Sequence, residues 1–150
     1  MASGELDVHH DDSGVQITCF TEVFDEITLH FQIIRLQKQI YAWIGCNSTK
    51  FGHLYAAAPT RPNNMVSVTS ILGGASDNTG SGIARRLVLK TGLNIILACN
   101  IPKNSPMLEV ILSFVLYIYI WWWWGKCWGS KYKFYVCLRL VMFITWYIFL

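Results

Sequence analysis

One hundred and fifty residues leave room for a single domain with one hydrophobic core. The net charge of +3 is uneven: residues 1–14 hold four acids and no base, residues 15–109 eight bases and five acids, and residues 110–150 four bases and no acid. That excess is too thin for nucleic acid, which requires a clustered basic face.

In chain order, residues 1–14 read as an unstructured acidic start with no basic-then-apolar signal sequence. His9, His10, Asp11 and Asp12 are adjacent, and adjacent ligands on a loose segment make a poor metal site. Val15, Ile17 and Cys19 alternate with Gln16 and Thr18, which is strand spacing. Ile27, Leu29, Phe31 and Ile33 alternate with Thr28, His30 and Gln32, so this strand has one buried face and one wet face. Residues 35–39 form a polar bend. Residues 39–45 are apolar on both faces, as in a central strand, and residues 47–52 turn. Residues 53–58 form another strand, closed by Pro59 and Pro62. Residues 66–72 form a fifth.

Residues 73–82 are rich in glycine and read as a loop offering Asp77, Thr79 and Ser81 as helix caps. From residue 83 to 91 the period changes to 3.6. Ile83, Ala84, Leu87 and Val88 share one face and Arg85, Arg86 and Lys90 the other, with Gly92 placed as the C-terminal cap. A sixth strand covers residues 93–99. Ser105, Pro106 and Glu109 announce another helix. The β-branched and aromatic residues that follow predict that it stops within one turn, leaving an irregular tail.

The chemistry these residues offer is sparse. Gly74 and Gly80 have five residues between them and Ser81 where a phosphate-loop lysine would stand, so the loop is not a nucleotide cradle. Ser70 lacks the nucleophile-elbow glycines. His30 lies on a wet strand face, His53 follows a turn, and Glu22, Asp25 and Glu26 fit a solvated connection. No nucleophile, base and orienting group come together, so no catalytic residue, cofactor or metal is expected. The five cysteines contain no C-x-x-C pair and read as reduced thiols.

Residues 110–150 contain no Asp, Glu, Ala, Pro, Asn, Gln or His. Residues 110–124 fall short of the ~20 apolar residues of a spanning helix and end in four tryptophans, a residue that prefers the headgroup level. A small protein anchored in a membrane by this tail is the alternative reading, and a membrane is not the expected partner. The residues that dominate the tail have T-rich codons, and a valine opens it. A retained intron beginning GT has both properties, so the tail reads as aberrant.

Within residues 66–91 stand Thr69-Ser70-Ile71-Leu72-Gly73, Ser76-Asp77, Thr79, Gly82-Ile83-Ala84, Arg86-Leu87 and Lys90-Thr91. Before them come Leu29-His30-Phe31, Arg35-Leu36 and Trp43-Ile44-Gly45. On these elements residues 15–109 resemble the proteasome assembly chaperone 4 family. The resemblance implies an α+β fold, a mainly antiparallel sheet of about six strands with helices packed on it, ending in a second helix. It implies a non-enzymatic chaperone that pairs with proteasome assembly chaperone 3. That pair assists proteasome alpha-type subunits in forming the ring of the 20S core particle, in the cytoplasm and also the nucleus. Partner contact is assigned to Ser76, Asp77, Thr79, Arg85, Arg86 and Lys90; no nucleic-acid partner is expected.

Overall fold

The computed structural model describes residues 7–10, 14–24, 26–61, 65–74, 78–103 and 105–124. It is an α+β protein. Seven strands form one sheet: β1 (Asp7–His10), β2 (Gln16–Phe24), β3 (Ile27–Arg35), β4 (Gln39–Cys46), β5 (His53–Thr60), β6 (Met65–Leu72) and β7 (Asn94–Asn100). Helix α1 (Asn78–Thr91) and helix α2 (Pro106–Trp124) complete the described elements. The strand order is β1-β2-β3-β4-β7-β5-β6. Every neighbouring pair is antiparallel except β4 and β7, which run parallel. The chain forms two compact units, Met1–Ser113 and Phe114–Leu150, and their boundary falls inside α2.

The sheet has one fully buried face. Directly paired residues share a face, and the pairings Phe20↔Phe31↔Ile44↔Cys99 and Ile33↔Ala42↔Leu97↔Tyr55 trace the core across the strands. Leu29, Ile40, Ala42, Ile44, Ile95 and Leu97 are wholly buried there. Phe20 and Phe31 stack with ring centroids 4.7 Å apart. Helix α1 lays Ile83, Ala84, Leu87 and Val88 onto the β5, β6 and β7 part of this face.

Several elements differ from their sequence reading. Asp7–His10 joins the sheet as β1, paired with β2, although it lies within the start read as unstructured. Asp11 and Asp12 lie outside the described residues. Strand β5 continues through Pro59 to Thr60. Its pairing with β7 ends at Ala57, so beyond that point β5 has a ladder on one side only and tolerates a residue without an amide hydrogen.

Helix α1 begins at Asn78, a turn before the predicted start. Its glycines serve close packing rather than looseness: a Cβ on Gly80 would lie 2.8 Å from Cys99 Sγ and would collide with the Tyr55 ring. The predicted C-terminal cap is present. Gly92 has φ 67° and donates its amide hydrogen to Val88 O at 2.8 Å.

The helix opened by Ser105 runs 19 residues rather than one turn. Ser105 O accepts the Glu109 amide at 3.0 Å, and Ser113 Oγ donates to Glu109 O at 2.6 Å. Between Pro106 and Gly125 there is neither proline nor glycine, and β-branched residues lower helix propensity only by tenths of a kcal/mol each. Leu112, Leu116 and Ile120 are buried at four-residue spacing, a stripe that an all-apolar sequence hides. The retained-intron reading covers residues 125–150 as well, which lie outside the described residues. Among the described residues no helix is long and apolar enough to cross a membrane.

Candidate functional site

The second face of the sheet carries the site. Helix α1 occupies the Tyr55 and Cys99 face, and Glu109 at the start of α2 lies beside α1, at Gly82 and Arg86. Within the described residues of the first unit, no helix lies on the other face. Alternation places Ile17, Cys19, Thr21 and Val23 of β2 there, and Thr28, His30, Gln32 and Ile34 of β3. From β4 come Gln39, Tyr41, Trp43 and Gly45. Ile96, Ala98, Leu54 and Ala56 follow from β7 and β5. Strand β6 adds Met65, Ser67 and Thr69. From β2 to β7 no Asp, Glu, Lys or Arg alternates onto this face.

The centre of the face is aromatic. Tyr41 and Trp43 sit on β4, in the middle of the strand order, and both are half-buried. The Trp43 indole lies along the sheet over Gly45, where a Cβ would stand 2.6 Å from its Cη2 atom. Glycine at position 45 is therefore what lets the ring lie flat. Burial pushes the Tyr41 hydroxyl above its ordinary pKa of 10.0. Ile34, Ile96 and Leu54 flank the two aromatics and are also half-buried. Two pairs of polar side chains meet on this face. Thr21 Oγ1 and His30 Nδ1 are 3.1 Å apart, and Gln32 Nε2 donates to Cys19 Sγ at 3.7 Å. At the far margin the β5–β6 ladder shifts register between Leu54 and Tyr55. An extra residue in one strand re-aims its neighbours, and Ile71 and Leu72 both stand in solvent.

Such a face suits protein contact. Interface cores are depleted of charge and enriched in aromatic residues, and their remaining polar groups are hydrogen-bonded. Nothing on it resembles a nucleophile with its base. Among the described residues Cys19, Cys46 and Cys99 form no disulfide, and burial raises the Cys46 thiol pKa, which makes it less reactive. Cys127 and Cys137 lie outside the described residues.

The described residues assigned from sequence to partner contact lie on helix α1. Ser76 and Asp77 lie outside the described residues. Thr79 must be withdrawn as a surface contact, because it is 3 % exposed on the buried side of the first turn of α1. Arg86 is engaged within the molecule, its Nη2 atom 3.3 Å from Glu109 Oε1. Arg85 and Lys90 are exposed on the outer side of α1. Of the four described residues, Arg85 and Lys90 are the exposed ones. The sequence carried a signal for the face that does emerge: a central strand apolar on both sides, QIYAWIG, in a domain with one amphipathic helix to cover one side.

Comparison with known proteins agrees with this architecture. The family model of proteasome assembly chaperone 4 matches residues 28–101, which run from β3 through β7. Residues 28–101 are thus similar to that family. Human proteasome assembly chaperone 4 is 28 % identical over 104 residues, covering 69 % of this chain and 76 % of the human protein. The mouse protein of the same name is 29 % identical over 94 residues, covering 63 % and 76 %. Among solved structures, a chain from a chaperone complex for yeast 20S proteasome assembly shares the fold. Its TM-score is 0.51 at 14 % identity, with 77 % of this chain and 98 % of that one covered.

Proposed function

We propose that this chain is a non-enzymatic chaperone of 20S proteasome assembly. In this reading it pairs with proteasome assembly chaperone 3 through the open face of its sheet and assists proteasome alpha-type subunits in forming their ring. The observation that carries the reading is the uncharged face of β2 to β7 with Tyr41 and Trp43 at its centre. Six strands at ~4.8 Å spacing and about seven residues at ~3.3 Å rise give a face of roughly 670 Å² in projection. A standard interface buries about 800 Å² of accessible surface per partner, so the face is of the right order for a stable pair. Similarity to the family and the fold shared with a chain of a chaperone complex support the same reading. With the face engaged by the chaperone partner, Arg85 and Lys90 on the opposite layer are left to meet an acidic surface of an alpha-type subunit.

Size exclusion and calorimetry of the full chain with chaperone 3 test this. Trp43→Ala should cost at least about 2 kcal/mol of binding, as an aromatic anchor at an interface centre does. Arg85→Ala should leave the pair intact and weaken capture of the alpha-type subunit. Unchanged affinity for Trp43→Ala, with loss for Arg85→Ala, would move the chaperone interface to the helix layer.

A further inference from the structure

The two edges of the sheet are unlike. Strand β1 has four residues, among them Asp7 and two histidines. Strand β6 has eight, MVSVTSIL, without charge or proline. An edge strand presents a row of unpaired amide and carbonyl groups, and proteins usually guard that row with charge, proline or brevity. Strand β6 has none of these three guards, and its one irregularity is the bulge at Ile71, near its end. Its one neighbour in the strand order is β5. Met65, Ile71 and Leu72 are 63, 58 and 51 % exposed.

The ends of β6 also differ. Met65 pairs with Thr60, and the exposed Arg61 follows directly. At the other end Ile71 and Leu72 are followed by Gly73, which approaches Gly52. A Cβ on Gly73 would lie 2.8 Å from Gly52 O, and Phe51, which precedes Gly52, is exposed. The edge therefore runs from a cation to an apolar corner. It also borders the open face, since Met65, Ser67 and Thr69 alternate onto it.

We infer that β6 accepts an extended segment of the chaperone partner as an added antiparallel strand, with large apolar residues at that segment's N-terminal end and an acidic residue near its C-terminal end. The inference rests on the heterodimer reading above. An antiparallel strand starts beside Leu72 and finishes beside Met65, so its apolar start meets Phe51, Ile71 and Leu72 and its acid meets Arg61. Main-chain hydrogen bonds supply the affinity and the two ends supply the register. A second copy of β6 fits less well, because an antiparallel copy brings its own Arg61 to the apolar corner, where nothing balances the charge.

Hydrogen exchange of the full chain, alone and bound to chaperone 3, tests this. The amides of residues 65–72 should slow by about tenfold or more in the complex, as new ladder bonds require. Arg61→Glu and Thr69→Lys should each raise Kd about tenfold, the first by charge reversal and the second by guarding the edge, with unchanged melting temperatures. If the complex forms and residues 65–72 still exchange at the free rate, the edge inference is wrong and the face reading stands. Protection that appears in the free chain as its concentration rises, indifferent to Arg61→Glu, would assign β6 to a second copy and overturn the inference. If the wild-type chain forms no complex with chaperone 3, the heterodimer reading fails and this assignment of the edge fails with it.

Discussion

Two glycines in one helix show how a single position decides between packing and propensity. Replacing a helical glycine by alanine gains about 1 kcal/mol of propensity wherever the methyl group finds room. At Gly80 it finds none, because the methyl would press on the ring of Tyr55, itself 2 % exposed, and on the buried Cys99 sulfur. Overpacking of this kind costs about 1–3 kcal/mol, so Gly80→Ala should be destabilised in urea unfolding despite its better propensity. At Gly82 the obstacle is the carboxylate of Glu109, the far end of a flexible side chain. Gly82→Ala should therefore be neutral or slightly stabilised while Arg86 loses its ion pair. Equal losses at both positions would contradict this account of the close approach.

Tyr41 gives a pH test at the same scale. Its folded pKa lies above the ordinary 10.0, so its contribution to stability is intact below pH 10 and is lost as pH rises through the folded value. The ultraviolet difference between wild type and Tyr41→Phe should titrate above pH 10, and higher still in the complex if the face is covered. A difference spectrum that titrates at 10 and ignores the partner would place Tyr41 outside the interface.

At the scale of elements, the strands were the legible part, because a sheet with one dry face writes its period into the sequence. In β3, Leu29, Phe31 and Ile33 are buried and Thr28, His30 and Gln32 are half-buried, as their alternation predicts. The early start of α1 was not legible. A run of glycine and serine reads as a loop, and nothing local reveals that Gly80 meets Tyr55 and Cys99. Helix α2 was missed for the opposite reason. Its residues are apolar on every side, so no period distinguishes Leu112 from Val110, and aromatic and β-branched residues argue for strand. The cap and first turn at Ser105 were present in the sequence and were outweighed by a propensity scale that spans less than about 1 kcal/mol for ordinary residues.

Two pairs of substitutions check the helices. Leu112 is wholly buried and Val110 is 43 % exposed, so Leu112→Asp should unfold the domain or cost more than about 3 kcal/mol, and Val110→Asp should be tolerated. Leu87→Asp and Arg85→Ala should divide in the same way, since Leu87 is buried and Arg85 faces water. Thermal melts that fail to separate the members of a pair would mean that the helix carrying it is rotated.

For the whole molecule, the informative sum is between faces to be covered and elements available to cover them. A sheet whose central strand is apolar on both sides needs two covering layers. QIYAWIG reads as apolar on both faces, and among the described residues of the first unit helix α1 lies on one of them. The sum therefore points to a partner where no motif does. Of the contact residues assigned from resemblance and charge, Thr79 is buried, and interface cores in general lack the charged groups that draw attention in a sequence.

The same reasoning divides the C-terminal segment. Leu112 in the first unit and Leu116 in the second are fully buried, and Ile120 is nearly so. Residues 110–120 thus contribute buried apolar surface whatever their origin in the gene. A chain ending at Glu109 removes three large buried side chains, and losing even one such leucine costs about 2–5 kcal/mol. That is a large part of the ~5–15 kcal/mol that holds a domain together. A chain ending at Trp124 keeps all three and removes a segment with four bases, no acid and many aromatic residues, a composition without acidic gatekeepers against aggregation. The expected order is clear. The chain ending at Trp124 should melt cooperatively, bind chaperone 3 with full affinity and be more soluble than the 150-residue chain. The chain ending at Glu109 should show no cooperative melt. If the two truncations melt alike, α2 is dispensable and the break at residue 110 is the true end of the folded domain. If the chain ending at Trp124 alone loses the partner, residues 125–150 belong to the interface and the reading of the tail as aberrant falls.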